Sequence, residues 1–586
     1  MLRKLLLVGA VQGWAFWGLW KTHELKVWPA TDALSERALL YFAVAVPLVI
    51  YLTEGIASLT RQRRLFILGV IAILFPLLGA YSGWVDDISV RLSDFIPFAR
   101  PSDALAAMVL GFVLIPLLAH FDSKARSWSY HELFETAWRN VILCISAAFL
   151  TATFWMVLFA GSELLHLIGL NFMRELIKES IFSIPVTGIA FGAAFALALA
   201  RAEMVVTLRR FQLSMLAWLL PLLMMFILVW VIALPFTGVE LLFKTHNAAF
   251  ILTWCAALCI SFVNAAYQDG QAAPPYGKFL SKLLAAVWLG LPVVVGVAWW
   301  AMWLRIAQHD WSEDRVWGMF VVLMATLYVT GYAVSALRRD GWLSSIGKTN
   351  MWSAVILCLG LLALISPIAD ARRIAVNSQM QRLANQTVAN DKFDFAYLRW
   401  DAGKYGQDAL HLLAAGITHP ERDALASKAK QILAQAERYR PDTGVKALSV
   451  EELRQRFRAL PTTATLNDAI LKALQSESKN WAVQQCFNTQ TQCAVWQIDL
   501  NADGASEAVV LIKNQWNDSG NALVMQQIGD QYRLIGNLSL DSKPFSKQLE
   551  QIERNEFKIV SPAWSEVEML GQRLQLRLTP QPQLPE

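Results

Sequence analysis

The sequence predicts a polytopic α-helical membrane protein followed by a soluble α+β domain, with helices first and antiparallel strands after. Three observations predict it. Of 586 residues, 55% are hydrophobic and only 17% charged, and a mean hydropathy of +0.39 lies far from a soluble average. The apolar residues crowd into the part before Pro367, in segments long enough to cross a bilayer. Beyond Pro367 the chain turns charged and periodic, with stretches such as Pro420 to Arg440 that lipid would not tolerate. We therefore expect a multispan domain over 1–368, a helical region over 369–480 and an antiparallel β region over 481–586. The net charge of +5 is small and dispersed, so nucleic acid is not a natural partner, whereas the lipid bilayer is.

A crossing needs about 20 largely apolar residues, because the hydrocarbon core is about 30 Å thick and a helical residue rises about 1.5 Å. Eleven segments meet that rule. They are Leu5 to Trp20, Ala38 to Thr53, Leu65 to Val85, Ala104 to Phe121, Val141 to Ile168, Ile181 to Ala202, Phe211 to Phe236, Ala248 to Tyr267, Phe279 to Ile306, Val316 to Leu337 and Met351 to Ile368. The second is short and ends on Glu54, and the fifth is long enough to tilt or break. Lys and Arg set the orientation, because short cytoplasmic loops retain them. With the N-terminus inside, inner segments hold 16 such residues, among them Arg61, Arg63, Arg64, Arg209 and Arg210, against 10 outside. Asp86, Asp87, Asp94, Asp310, Glu313 and Asp314 gather outside. The N-terminus is thus expected in and the C-terminal domain out. The first segment has no small-residue cleavage signal and reads as an uncleaved anchor.

Cysteine placement bears on the same question. Cys144, Cys255, Cys259 and Cys358 lie in apolar spans, where a thiol behaves as a small hydrophobe. Cys486 and Cys493 instead flank a short polar loop leading into a strand-like run. A disulfide between them is expected, which requires an oxidising compartment.

Within the spans, ionisable side chains are costly and so point to function. Glu163 and His166 share one face of the fifth span near its outer end, and the following polar segment, too short to span, adds Arg174 and Glu175. Together these four are candidates for an outward vestibule on a substrate pathway; an ordinary wet helix end with an ion pair is the simpler reading. Prolines recur inside spans at Pro47, Pro76, Pro116, Pro185, Pro221, Pro235 and Pro292, where helix breaks can frame a cavity. Many of the 24 Trp stand near span ends, as headgroup anchors do. No metal-ligand, phosphate-loop or nucleophile-elbow pattern occurs, so neither a nucleotide nor a redox cofactor is expected, and a non-enzymatic role is favoured.

In the tail, Thr418-His419-Pro420-Glu421 resembles a capping box ahead of an amphipathic helix to about Arg440. Ser449 to Glu452 repeats the signal before a second helix, and Asn467 to Gln475 suggests a third. Period-two runs then predict strands at Ala494 to Leu500, Ala508 to Lys513, Leu523 to Ile528, Tyr532 to Leu538, Phe557 to Val560 and Arg573 to Leu578, with a hairpin turn at Gly529-Asp530. Between the first two strands, Asp499, Asn501, Asp503, the carbonyl of Ala505, and Glu507 match the opening of a calcium loop, with Gly504 at the sharp turn. Val510 stands where an EF-hand needs its bidentate Glu. A structural Ca²⁺ is one reading, and a metal-free glycine turn the other.

Around the junction, Ser366-Pro367-Ile368-Ala369-Asp370, Arg373-Ile374, Ser378-Gln379, Arg382-Leu383, Phe393-Asp394, Leu398-Arg399 and Gly403-Lys404-Tyr405-Gly406 resemble the bacterial integral-membrane family catalogued as domain of unknown function 4153. The resemblance implies a bacterial inner-membrane protein with a periplasmic tail, in keeping with the cytoplasmic N-terminus that the charge bias predicts, and supplies no reaction and no site residues. Three functions follow as expectations. Transport or export, or envelope assembly, fits the broken spans and Glu163, His166, Arg174 and Glu175. A multispan lipid-linked glycosyltransferase would need an outer carboxylate, for which Asp86, Asp87, Glu24 and Asp32 are candidates. A non-catalytic envelope sensor or scaffold would use the tail to bind an envelope protein or a glycan.

Overall fold

Hydrophobic segments of bilayer length become long helices, because in lipid only a helix satisfies its own backbone. The computed structural model describes residues 1–86, 100–238, 248–270, 275–338, 345–386, 393–435, 448–461, 464–477, 483, 486, 493–513, 520–529, 531–538, 545–558, 567–569 and 572–574. The chain forms two compact units, Met1–Arg438 and Tyr439–Glu586.

The first unit contains α1 (Leu2–Leu25), α2 (Ala33–Thr53), α3 (Arg61–Val85), α4 (Pro101–His120), α5 (Tyr130–Leu167), α6 (Phe172–Lys178), α7 (Ser180–Ala200), α8 (Ala202–Thr237), α9 (Ala248–Tyr267), α10 (Lys278–Val287), α11 (Leu291–His309), α12 (Glu313–Leu337) and α13 (Ile346–Leu364). A two-strand turn, β1 (Phe121–Asp122) and β2 (Ser127–Trp128), joins α4 to α5. Side chains fix several starts: Asp32, Thr60, Ser129 and Ser312 accept hydrogen bonds from first-turn amides of α2, α3, α5 and α12.

Among the described residues ten helices are long and apolar enough to cross a membrane, with α10 and α11 counted as one. The chain is thus a membrane protein in contact with the lipid bilayer. α1, the first of the eleven expected segments, is not among the ten. Arg3, Lys4, Gln12, Lys21, His23 and Glu24 dilute its apolar run. It nonetheless lies against two of the ten. Along α2 it runs antiparallel, with Lys4 Nζ 2.6 Å from Glu54 Oε2, Gln12 Nε2 donating to the Ala43 carbonyl at 3.3 Å and His23 Nδ1 3.2 Å from Glu36 Oε1. Against α7 it meets backbone to backbone: a Cβ on Gly9 would lie 2.2 Å from the Gly188 carbonyl oxygen, and one on Gly192 would lie 2.4 Å from that of Leu5. Gly9 with Gly13 and Gly188 with Gly192 have the spacing that lets membrane helices touch.

Six of the seven expected prolines sit inside continuous helices. Pro292 follows a break, a 3₁₀ turn at Trp288–Gly290 between α10 and α11.

After α13, Asp370 caps α14 (Ala371–Ala384) by accepting from the Arg372 and Arg373 amides at 2.8 and 3.3 Å. Then come α15 (Phe395–Trp400), α16 (Gly403–Ala415) and α17 (Arg422–Leu433). These four helices bury Val376, Leu383, Leu398, Leu410, Leu413 and Leu425 together. Thr418 does not cap α17. The helix starts at Arg422, without a side-chain cap bond, and His419 Nδ1 accepts the Glu421 amide instead. Pro420 precedes the helix rather than opening it.

The second unit holds α18 (Val450–Arg456), β3 (Phe457–Leu460), α19 (Asp468–Ser476), β4 (Cys493–Ile498), β5 (Glu507–Lys513), β6 (Gly520–Ile528), β7 (Gln531–Leu538), α20 (Phe545–Glu553), β8 (Val567–Met569) and β9 (Gln572–Leu574). The box at Ser449 and Glu452 caps α18 as the sequence predicts. The five-stranded sheet runs β3-β4-β5-β6-β7. It is antiparallel except that β3 pairs parallel with β4, Phe457 opposite Cys493, so the expectation of antiparallel strands throughout is corrected. β3 follows α18 without a loop, and only the intervening α19 crossover makes the parallel pairing possible. Both faces of the sheet are covered. Val495, Val510 and Ile512 pack with Leu453, Ile470 and Leu474 of α18 and α19, while Val509, Leu511 and Val524 pack with Phe545 and Ile552 of α20. This explains why β5 is buried at six consecutive positions, where a half-exposed strand would alternate. Gly529, at φ +65°, turns β6 into β7; Asp530 lies outside the described residues.

Candidate functional site

Amides inside apolar spans must find partners, and two of them do so together. Asn264 of α9 and Asn350 of α13 meet beside a cavity of about 400 Å³ among α4, α5, α8, α9, α12 and α13. Asn350 Nδ2 donates to Asn264 Oδ1 at 2.6 Å and to the Tyr130 hydroxyl at 2.9 Å. Asn264 Nδ2 donates to the Tyr332 hydroxyl at 2.8 Å, and that hydroxyl donates to Asn350 Oδ1. The ring closes on itself, so each amide is satisfied away from water. Tyr332 is fully buried, its ring 5.4 Å from that of Trp288. Tyr130 uses its oxygen as acceptor, which leaves its proton as a donor at the cavity edge. The remaining wall is largely apolar, including Phe112, Pro116, Phe134, Trp138 and Ala354, with Ser261 and Tyr328 also on it. An apolar chamber with one small polar corner suits an amphipathic guest.

At the end of the bundle carrying Asp86, charges from five separate segments converge. Arg372 of α14, 3% exposed, reaches Asp86 at 3.0 Å, Asp370 at 3.1 Å and Asp103 at 3.4 Å. Arg37 of α2 pairs with Asp86 and donates to Ser82 Oγ at 2.9 Å. Arg100 bridges Asp86 and Glu313, each at 3.2 Å. Tyr81 donates to Asp370 at 2.8 Å and lies 2.9 Å from the Tyr405 hydroxyl. Burial alone would lower the Arg372 pKa, yet the Asp103, Asp370 and Asp86 carboxylates outweigh it and raise it above the ordinary value. This network ties α14 and α16 onto α2, α3, α4 and α12, and every charged member has a partner, as burial demands.

At the opposite end a pocket of about 370 Å³ opens beside the start of α5. His120 lies 3.3 Å from Glu132 and 2.8 Å from Thr136 Oγ1. Arg209 pairs with Glu135, and Arg139 donates to the Glu54 carbonyl.

The residues expected from sequence lie elsewhere. Glu163 and Arg174 approach to 3.7 Å, both exposed. His166 Nδ1 is 2.5 Å from Asn171 Oδ1, and Glu175 is exposed in the first turn of α6. None of the four lines the cavity or the pocket described above. Of the glycosyltransferase candidates, Asp86 is held by three arginines, Glu24 lies 3.0 Å from Lys21 and Asp32 caps α2; Asp87 lies outside the described residues. Cys486 and Cys493 have their sulfurs at bonding distance, 2.00 Å.

In the calcium-type loop the acidic side chains hold the loop's own amides. Asp499 Oδ2 accepts from Gly504, Asp503 Oδ1 from Ala505 and Glu507 Oε2 from Leu500, at 2.9, 2.8 and 2.8 Å. Asp499 Oδ1 is buried without a hydrogen-bond partner. Among the described residues no group of three His, Cys, Asp or Glu side chains converges as a metal site would.

Sequence reasoning missed the residues that do cluster. Arg37 and Arg100 are single cations near helix ends, and Asp103, Asp370 and Arg372 stand at helix starts, where charges are ordinary. Asn264 carried a usable signal, since a lone amide within the span Ala248 to Tyr267 asks for a partner, whereas Asn350 stands one residue ahead of the expected span Met351 to Ile368.

No curated protein and no solved structure matches the chain. Residues 24–414 match the model of the family described as Domain of unknown function (DUF4153). That stretch contains the amide-lined cavity, the charge network and the pocket beside α5. It covers well over half of the 586 residues, and the chain belongs to that family.

Proposed function

We propose that this chain is a bacterial inner-membrane protein that takes an amphipathic, lipid-like molecule from the bilayer into the cavity beside Asn264 and Asn350, in transport or envelope assembly. The observation that carries the reading is the chamber itself, largely apolar on its walls, polar at Tyr130 and formed among helices long and apolar enough to cross a membrane. Purified protein should retain a co-extracted lipid or lipid-linked molecule detectable by mass spectrometry. Ala354→Trp, which fills the chamber, should abolish that retention and fail to complement a deletion strain while still inserting. Retention unchanged by the substitution would reject the reading.

The accompanying topology is eleven crossings, N-terminus in the cytoplasm and the 439–586 unit in the periplasm. It is supported by the bias of 16 cationic residues against 10, by α1 lying along the length of α2, and by a cysteine pair suited to an oxidising space. Thiol labelling of single cysteines at the two chain ends in intact cells tests it; a tail closed to impermeant reagent would overturn it. A free catalytic carboxylate, which a lipid-linked glycosyltransferase needs, finds little support at Asp86, since three arginines engage it.

Loop 499–507 is a second, separate proposal, as a structural Ca²⁺ site in the millimolar range. Unpartnered Asp499 Oδ1 favours it. Binding would require Asp503 and Glu507 to release the amides they hold, which argues for weak affinity. Calorimetry showing neither heat nor a melting shift with calcium would remove it.

A further inference from the structure

A groove of about 460 Å³ runs between the C-terminal half of α12 and the N-terminal half of α13. Its floor is closed by close approach: a Cβ on Gly331 would lie 2.3 Å from Thr349 Cγ2, so no larger residue fits there. Arg338, just past the last turn of α12, and Lys348, in the first turn of α13, stand at its mouth. Both are exposed, and neither forms an ion pair among the described residues. Ser345 and Thr349 add hydroxyls beside them. Deeper along the groove the lining becomes apolar, through Val334, Trp352 and Ile356, and Trp352 is 63% exposed.

The order of these groups is an amphiphile written in reverse. Two cations stand where one apolar helix ends and the next begins, the depth of lipid headgroups. An apolar strip leads from them toward the hydrocarbon. We infer that this groove holds an anionic glycerophospholipid, its phosphate between Arg338 and Lys348 and an acyl chain along Val334, Trp352 and Ile356. Charge complementarity selects the anionic class. A zwitterionic headgroup would bring its own cation against two others, whereas each basic residue near an anionic headgroup contributes about fivefold in affinity, roughly thirtyfold for the pair. The site lies on the face of α13 opposite the Asn350 cavity and does not depend on what that cavity binds.

The test uses the full chain in neutral detergent, titrated with dioleoylphosphatidylglycerol or dioleoylphosphatidylcholine, with bound lipids counted by native mass spectrometry. Wild type should bind the phosphatidylglycerol in preference. Arg338→Gln with Lys348→Gln should weaken it roughly thirtyfold, while Arg338→Lys with Lys348→Arg should restore most of it and Ala354→Trp should leave it unchanged. Equal affinity for the two lipids in wild type, or equal phosphatidylglycerol binding in the charge-neutral variant, would overturn the inference. Displacement of the lipid by equimolar inorganic phosphate would do the same, assigning the cations to a soluble anion. Should the neutral variant fail to insert, Ile356→Trp, which blocks the apolar strip and spares the charges, must reduce binding instead.

Discussion

Arg372→Gln is the substitution that most directly probes how the helices after the last span are held. The guanidinium is 3% exposed and pairs with Asp86, Asp103 and Asp370. Each contact would be worth about 4 kcal/mol in Coulomb terms at an effective dielectric of 20, but much of that offsets the removal of the charges from water. The measurable quantity is the cost of leaving Asp103 and Asp370 to hydroxyl and amide partners while Asp86 keeps Arg37 and Arg100. Breaking a buried pair from one side typically costs about 3–5 kcal/mol. Because α14 is anchored at this point by both its capping Asp370 and Arg372, the loss should appear as local opening. Amide hydrogen exchange in α14 is therefore expected to accelerate about a hundredfold or more, with the core of α9 and α12 little changed. Arg372→Lys, which keeps the charge but lacks the planar fork, should fall between. If α14 in the Gln variant exchanged within threefold of wild type while the chain remained inserted, the network would not be what holds these helices.

Gly9→Leu should detach α1 from α7, because its Cβ has only 2.2 Å to the Gly188 carbonyl oxygen; an engineered disulfide crosslink between α1 and α7 should then be lost. Asn350→Leu removes the three hydrogen bonds made by Asn350, and at about 0.6 kcal/mol each in a membrane should lower resistance to denaturation by about 2 kcal/mol. Cys486→Ser opens a loop closed over a separation of 7 residues; the second unit should lose about 2–3 kcal/mol, and reduction of the wild type should reproduce the loss. Asp32 has its pKa lowered, chiefly by the Ser35 hydroxyl and then by the Ser35 and Leu34 amides. Its contribution to α2 is therefore present above the ordinary carboxylate range and fades as pH falls through the lowered value. In Asp32→Ala the start of α2 should exchange faster at pH 7, by about 1 kcal/mol, and the difference from wild type should shrink as pH falls through that lowered value.

What could be read in advance was whatever a local rule determines. Bilayer thickness dictates span length, so the apolar segments from Ala38 onward became the ten long helices, and Ser449 with Glu452 capped a helix because a capping box needs only four residues. β3 escaped notice because four residues, Phe457 to Leu460, carry no alternation and gain their role from pairing with β4 more than 30 residues on. The charge network escaped for the same reason. Arg37, Asp86, Asp103 and Arg372 are unremarkable singly, at positions where solvated charges abound. Only the packing of α14 against the bundle turns them into a buried set. Pro420 misled in the other direction, since a proline ahead of a charged run looks like a first-turn residue, and here it precedes the turn.

The two lipid-facing features share a helix, and this gives them a physical relation. α13 presents Asn350, Met351 and Ala354 to the amide-lined cavity and Lys348, Thr349, Trp352 and Ile356 to the basic groove. Asn350 sits two residues from Lys348, so the polar corner of the chamber and the cationic mouth of the groove are fixed by the same helical turn. Thr349 presses on Gly331 at a close approach of α12 and α13, and Tyr332, one residue on, closes the amide ring from α12. The two linings nonetheless lie on opposite faces of α13, so a bulky residue at Ala354 fills the chamber without entering the groove, and lipid binding at Arg338 and Lys348 should survive a substitution that abolishes retention in the chamber.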